Sequence, residues 1–518
     1  MASRNKTVAV LFACALSTAV ARAQTTYFVD GSCGDDAWTA SSPICEAPNG
    51  PKRTIQAGID ASVTGDTVIV ADGVYTGFGN RDLDFGGRDI HLRSESLNPA
   101  LCIIDCQGTA NDPHRGFYFH SGETTAAIVE GFTITNGYAN FNDPGRGIVG
   151  GGVFCEDSSP TFRKCAIVNN TAQNSGGGVW GHVPPTPGTP VLLECVVRGN
   201  QAIGGEGGGI NCPLGATLID CEIIDNNAQS DGGALVGLAT VSGCTISGNT
   251  SNGFAAGIRI AGGTLSDCWI FDNHATRKGQ GGGINASNCV IENSVIEGNS
   301  GGLVGGGIDA GRNVTVVNCT IRGNSAVAGG GIHVLGQNVL IKDCLIESNH
   351  ASGFNDGEAG GGLALRTSGA TVLNCIVAFN TSARDGGGIW CSRDPIVVNC
   401  LIVDNVADGD GGGIRTSDGI PLIANCTVAF NHAAGRGGGI VAKNVFSNGL
   451  GPTVYNSIIW GNSAVAGPQL AVLDYVDGSG FTWSVAMSVG YNDAQGGKAS
   501  VVVDPLSTLN WLAGNFEQ

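Results

Sequence analysis

A chain of 518 residues with 85 glycines, only 17 prolines and 42% apolar residues holds too much core material for disorder, and without a Gly-X-Y period it is not collagen-like. A formal charge of −18 with few lysines argues against nucleic acid and anionic membrane as partners, and it weighs against a polyanionic substrate. The acids are spread along the chain, which reads as the solubilising surface of a secreted protein.

Residues 1–23 read as a signal peptide: Arg4 and Lys6, then the apolar run VAVLFACALSTAV, then Ala21-Arg22-Ala23 before a cleavage point at Gln24. No later stretch approaches the roughly eighteen uninterrupted apolar residues of a transmembrane helix, so the expectation is a secreted or cell-surface protein with no transmembrane segment after cleavage. Residues 24–110 read as an N-terminal capping region with the first strands. Its loop GSCGDDAWTASSPIC offers Cys33 and Cys45 as a disulfide pair, whereas the pairing of Cys102 and Cys106 stays open. RTIQAGIDASV places Ile55, Ile59 and Val63 on one helical face, a short amphipathic helix that covers the open first coil of whatever follows.

Residues 111–465 carry an internal repeat. GFTITN at 131–136 is followed by CAIVNN, CVVRGN, CEIIDN and their successors down to SIIWGN, thirteen rungs with asparagines from Asn136 and Asn170 to Asn462. Between rungs recurs Gly-Gly-Gly-aliphatic, as at Gly176 to Val179 and Gly386 to Ile389. Short β-branched runs with glycine at the corners suit a coil of three strands stacked on identical neighbours, a right-handed parallel β-helix on the order of 60 Å long. Alternation turns the rung cysteine and the aliphatic residue two places on inward together. The asparagine then falls at a corner, in a left-handed conformation, bonded to turn backbone or to its equivalent one coil away.

Ten of the 19 cysteines hold the rung position, completed by Ser294 and Ser457. Stacked equivalents stand near the ~4.8 Å strand spacing rather than the ~3.8 Å Cβ separation a disulfide prefers. They are expected to be buried, reduced filler; a thiolate metal wire is disfavoured because no Cys-x-x-Cys or Cys/His spacing accompanies them. Residues 466–518 read as a C-terminal capping region.

The opening TIQAGIDAS…GDTVIVADGVY with GFTITNG resembles secreted bacterial right-handed β-helix proteins of the pectin-lyase-like superfamily. The alternating Gly-Gly-Gly-Ile and Ile-x-x-Asn elements resemble the repeats of chlamydial polymorphic outer-membrane proteins. NSIIWGNSA, SVGYNDAQGG and LNWLAGN are similar to the choice-of-anchor Q region. Members of that last group continue into another coil and an anchoring element; this chain stops at Gln518, which the resemblance reads as a truncated end.

Outward residues after each Gly-Gly-Gly-aliphatic would form a ligand strip: Trp180, Asn211, Arg259, Asn285, Asp309, His333, Trp390 and Arg415. Aromatic faces, amides and guanidinium groups of this kind stack on and hydrogen-bond sugars. The favoured reading is a protein that offers an extended face to a polysaccharide or cell-surface glycan, without a cofactor. The alternative, which the superfamily resemblance implies, is a polysaccharide lyase using calcium held by carboxylates and an Arg or Lys base. Its candidates are Arg393, Arg415, Asp385 and Asp410, the densest mixed-charge neighbourhood on adjacent coils.

Overall fold

A computed structural model describes residues 23–517 except 142–146, 182–187, 277–278, 354–358, 445–448 and 477–479. The predicted signal sequence, apart from Ala23, lies outside the described residues, as does His182, which sequence spacing adds to the strip. The described chain is a parallel β-helix. Most coils of the repeat carry four strand segments rather than the predicted three, for example Val179–Gly181, Val191–Leu193, Val196–Arg198 and Gln201–Ala202, while in three coils the first two run together, as in Ile210–Ile219. The extra break falls one residue before the rung cysteine, where Asn, Asp or another residue adopts positive φ, as at Glu194 (53°) and Asn318 (53°). Asn and Asp tolerate this region better than other non-glycine residues, which explains their frequency at that position.

Third strands stack in register through seventeen coils, from Gly73–Tyr75 to Phe516–Glu517. The solenoid therefore runs through both regions read as caps. The predicted helix forms over Ile55–Ala61; Thr54 caps it by accepting the Ala57 N–H, and Ile55 and Ile59 are buried. Val63 lies beyond the helix and is 44% exposed, because the helix stops at Ser62. Gly58 lets the helix sit on Val29 and Val68, where a Cβ would stand 3.0 Å from Val68.

The core is the stack of inward rows. The residue two places after the rung cysteine is fully buried in every rung from Ile167 to Ile459, each contributing roughly 1.5–3 kcal/mol of burial. Cys33 and Cys45 are joined in a disulfide; all other described cysteines are free and buried, Cys102 and Cys106 included. Burial pushes the thiols of Cys212, Cys289 and Cys391 up to about 12. In the ladder each Sγ donates to the carbonyl two residues back and, except at Cys244, to one in the preceding coil, as Cys165 does to Arg163 (3.3 Å) and Val129 (3.5 Å).

The asparagine ladder begins at Asn170, not Asn136. Thr133, Ile134 and Thr135 align with Ala166, Ile167 and Val168, so Asn136 matches Asn169 and Gly137 takes the ladder place. From Asn170 to Asn462 each backbone N–H and each Nδ2 donate to the Oδ1 of the next asparagine, at 3.0 and 3.1 Å for Asn170 to Asn200, while Nδ2 also donates to the previous coil, here Ile134 O at 3.0 Å. The row closes on Gln469 Oε1, 2.8 Å from Asn462 Nδ2. The left-handed residue is the one before each ladder asparagine, such as Asn169 (φ 55°) and Asp225 (φ 56°), rather than the asparagine itself.

The three corner glycines serve three purposes. Gly176 adopts φ 66°, Gly177 lies where a side chain would overlap the Gly208 carbonyl of the next coil, and Gly178 faces the ladder amide of Asn200, 3.1 Å from its place for a Cβ. A side chain at the second position would break the coil spacing itself.

Candidate functional site

The predicted strip exists as one continuous row. Strand register links Tyr118, Phe154, Trp180 and Asn211, then Val236, Arg259, Asn285, Asp309 and His333, then Ala364, Trp390, Arg415 and Val441. It is not a solvated face. Asn211, Asp309, His333, Trp390 and Arg415 are buried; Trp180, Arg259 and Asn285 keep partial exposure.

The cover is the corner that enters each first strand. A Cβ on Gly176 would stand 2.7 Å from Trp180 Cβ, and one on Gly329 would stand 2.8 Å from His333 Cβ, so each corner glycine lies against its own strip residue. The residues just before the glycines fold over the row. Arg259 Nη1 bonds Glu206 Oε1 and Asp231 Oδ2, both at 3.1 Å, and Ala364 packs with Val304 and Ala328. Asn285 Nδ2 donates to Asp309 Oδ2 at 2.8 Å, and the other oxygen of Asp309 lies 2.7 Å from His333 Nδ1. The row is thus a polar seam between strand and corner, with a partly exposed aromatic end where Phe154 stacks on Trp180 at 4.8 Å and Tyr118 on His120 at 4.2 Å.

The lyase candidates do not form one site. Arg415 is 3% exposed; its Nε lies 3.2 Å from Asp385 Oδ2, and its Nη1 donates to the carbonyls of Thr416 and Lys443, the latter at 2.9 Å. Asp385 Oδ1 accepts the Asp410 N–H and Asp410 Oδ1 accepts the Arg436 N–H, each at 2.9 Å, so these carboxylates staple one corner to the next. Asp410 Oδ2 further meets Lys443 Nζ at 3.4 Å. Oxygens so committed do not fit a calcium cluster. Among the described residues one group of three has ligand atoms close enough for an ion, Asp30, Cys33 and Cys45, and its two cysteines are joined to each other.

Arg393 stands apart, exposed at a different corner, where it helps line a surface groove of about 640 Å³. This groove crosses the turns between first and second strands of successive coils: Asn288, then Gly311 to Asn313, then Leu335 to Gln337, then Arg366 and Thr367, then Arg393. Among the described residues three arginines and no carboxylate line it. Its floor is held by a ladder in which Asn338 Nδ2 donates to Asn313 Oδ1 (3.1 Å) and Asn313 Nδ2 to Asn288 Oδ1 (2.8 Å). Gly336 sits so close to the Gly311–Arg312 peptide that a side chain there would overlap it. Leu335, 61% exposed, adds an apolar patch. Sequence spacing places Arg366 two positions beyond Ala364 among the outward strip residues, but it missed Arg312; the signal was the 25-residue recurrence of Asn288, Asn313 and Asn338 beside it.

A family model described as a right-handed beta helix region matches residues 208–359 and 307–480, together just over half of the chain. No curated protein matches. Similar solved structures include pectate lyase Pel9A, 15% identical over 68% of this chain and 76% of that one, TM-score 0.33. The A-module of the Azotobacter vinelandii mannuronan C-5 epimerase AlgE6 is 14% identical over 90% and 94%, TM-score 0.28. PfbA, a surface adhesin of Streptococcus pneumoniae, is 11% identical over 85% and 86%, TM-score 0.20. Repeat, parallel stack and family match agree, and the chain belongs to the right-handed β-helix family.

Proposed function

We propose that this protein is a secreted, surface-associated rod that binds an anionic polysaccharide in the groove lined by Arg312, Arg366 and Arg393. The observation that carries the reading is the placement of three arginines, with no carboxylate among the described lining residues, on a chain of net charge −18. Net charge describes the whole surface; a groove with its own sign sets the local field and concentrates ligands of the opposite sign. Guanidinium groups take carboxylate or sulfate oxygens in pairs. Coils lie about 4.8 Å apart, which places Arg366 two coil steps from Arg312 and Arg393 one step further along the axis. A polymer with one acidic group per sugar presents charges at a comparable repeat. Leu335 would meet the apolar face of a ring, and Gln337 and the asparagine ladder its hydroxyls.

The resemblance of the C-terminal segment to an anchoring region supports a place at the cell surface. Isothermal calorimetry with polygalacturonate and alginate oligomers, against a neutral glucan of equal length, tests the reading. Binding of the acidic oligomers alone, weakened at least tenfold by Arg312→Gln or Arg366→Gln and falling with added salt, is expected. Equal binding of the neutral glucan, or no loss in both variants, would refute it. Release of unsaturated ends during the same incubation would make the groove a lyase site instead.

A further inference from the structure

Four successive coils toward the C-terminal end of the rod carry a second unexplained surface. Their second and third strands with the intervening corner, residues 371–378, 396–403, 422–429 and 453–460, contain no charged residue. Equivalent rows of earlier coils carry Arg198, Glu222, Glu292, Glu297, Arg322, Lys342 and Glu347, with Arg322 paired to Glu297 at 2.9 Å. One earlier coil, at 240–247, is likewise uncharged, but a run of four such coils occurs here alone among the aligned rungs.

Strand register stacks Ile376, Leu401, Thr427 and Ile458 in one outward row. Ile376 is 42% exposed, Leu401 37% and Ile458 47%, and at the adjoining corner Phe379 and Phe430 are 55% and 59% exposed. With the neighbouring Val406, these six side chains expose on the order of 500 Å², near the top of the ~300–600 Å² range for the largest apolar patch of an ordinary monomer. Each subunit of a standard interface buries about 800 Å², of which about 65% is apolar in homodimers, so the patch supplies the apolar core of one such interface.

We infer that this face pairs two copies of the chain. A β-sheet face without a cleft offers no pocket for an anchoring side chain and matches another flat apolar sheet, packed about 10 Å away with interdigitating rungs. An isologous two-fold brings the same uncharged strand rows together; the nearest charge is Asp404, half-buried at the corner between Phe379 and Phe430, and the two-fold must leave it at the rim. An anionic lipid surface is a poor occupant: the four segments hold no Lys or Arg, and the chain carries −18. The pairing is independent of the glycan groove and would present two grooves per particle.

Sedimentation velocity on the purified chain over about a hundredfold range of concentration tests it. The mass should rise from one chain to two, and Leu401→Glu or Ile458→Glu should shift the midpoint to at least tenfold higher concentration. Both positions are exposed, so circular dichroism and the unfolding midpoint of the variants should match the parent. One-chain mass at every concentration, or a dimer indifferent to both variants, would overturn the inference. So would a monomer that cosediments with phosphatidylcholine vesicles, which would assign the face to lipid.

Discussion

Arg415 Nε lies 3.2 Å from Asp385 Oδ2 with the guanidinium 3% exposed, on a row that alternation alone places outside the coil. The pair links one corner of the solenoid to the strand of the next and leaves neither group for a substrate. Removing one partner of a buried pair strands the other, at a cost of about 3–5 kcal/mol. Arg415→Leu should therefore lower stability by that order in urea unfolding, and leave glycan affinity unchanged. A variant of parental stability with lost affinity would return Arg415 to the binding surface.

Asn299→Ala and Asn136→Ala should behave differently although both asparagines end a similar motif. Asn299 is fully buried; its Oδ1 accepts the Asn273 N–H and its Nδ2 donates to Ile270 O and Asn324 Oδ1, so its loss leaves two backbone groups of the preceding coil without that partner. Unsatisfied buried groups cost about 1–3 kcal/mol each. Asn136 makes one exposed side-chain bond to Asp105 at 2.9 Å, and alanine at its φ of 55° should cost about 1 kcal/mol, less than the ladder loss. Chemical denaturation of the two variants, with equal losses counting against the ladder register, checks this.

The buried thiols fix a pH dependence. Cys212, Cys289 and Cys391 are raised to about 12 by burial, from an ordinary value near 9. The folded state holds its protons while the unfolded chain releases them, so stability is intact below about pH 9 and falls between 9 and 12. At pH 10 each thiol should withdraw roughly 1.4 kcal/mol. Urea midpoints at pH 7, 9 and 10 should be flat and then fall, and Cys391→Ala should soften the fall. A midpoint that rises above pH 9 would contradict the burial account.

How far the residues announced this structure varies along the chain. Cys-x-Ile-x-x-Asn encodes a face and a corner directly, and every inward aliphatic is buried as its spacing requires. The loop pair Cys33 and Cys45 was equally plain. GFTITN misled because Asn136 stands four residues after Phe132, one short of the rung spacing, and Gly137 takes the ladder place. The strip misled for a different reason. Period-two alternation tells which side of a strand a residue faces, but not that Gly176 or Gly329 brings the preceding corner down on that side. The acids ahead of the equivalent glycines in other coils, Glu206, Asp231, Asp385 and Asp410, were the visible trace of the cover. Their role depends on pairings between coils, which one coil's sequence does not state.

Hydrogen–deuterium exchange of the whole chain with and without an alginate oligomer tests the central claim most directly. The proposed groove requires slowed exchange in the turns at 311–313, 335–338 and 366–369, with the buried row from Asn211 to Arg415 unchanged. Protection confined to that row or to the aromatic end around Trp180, or no protection at saturating oligomer, would contradict it.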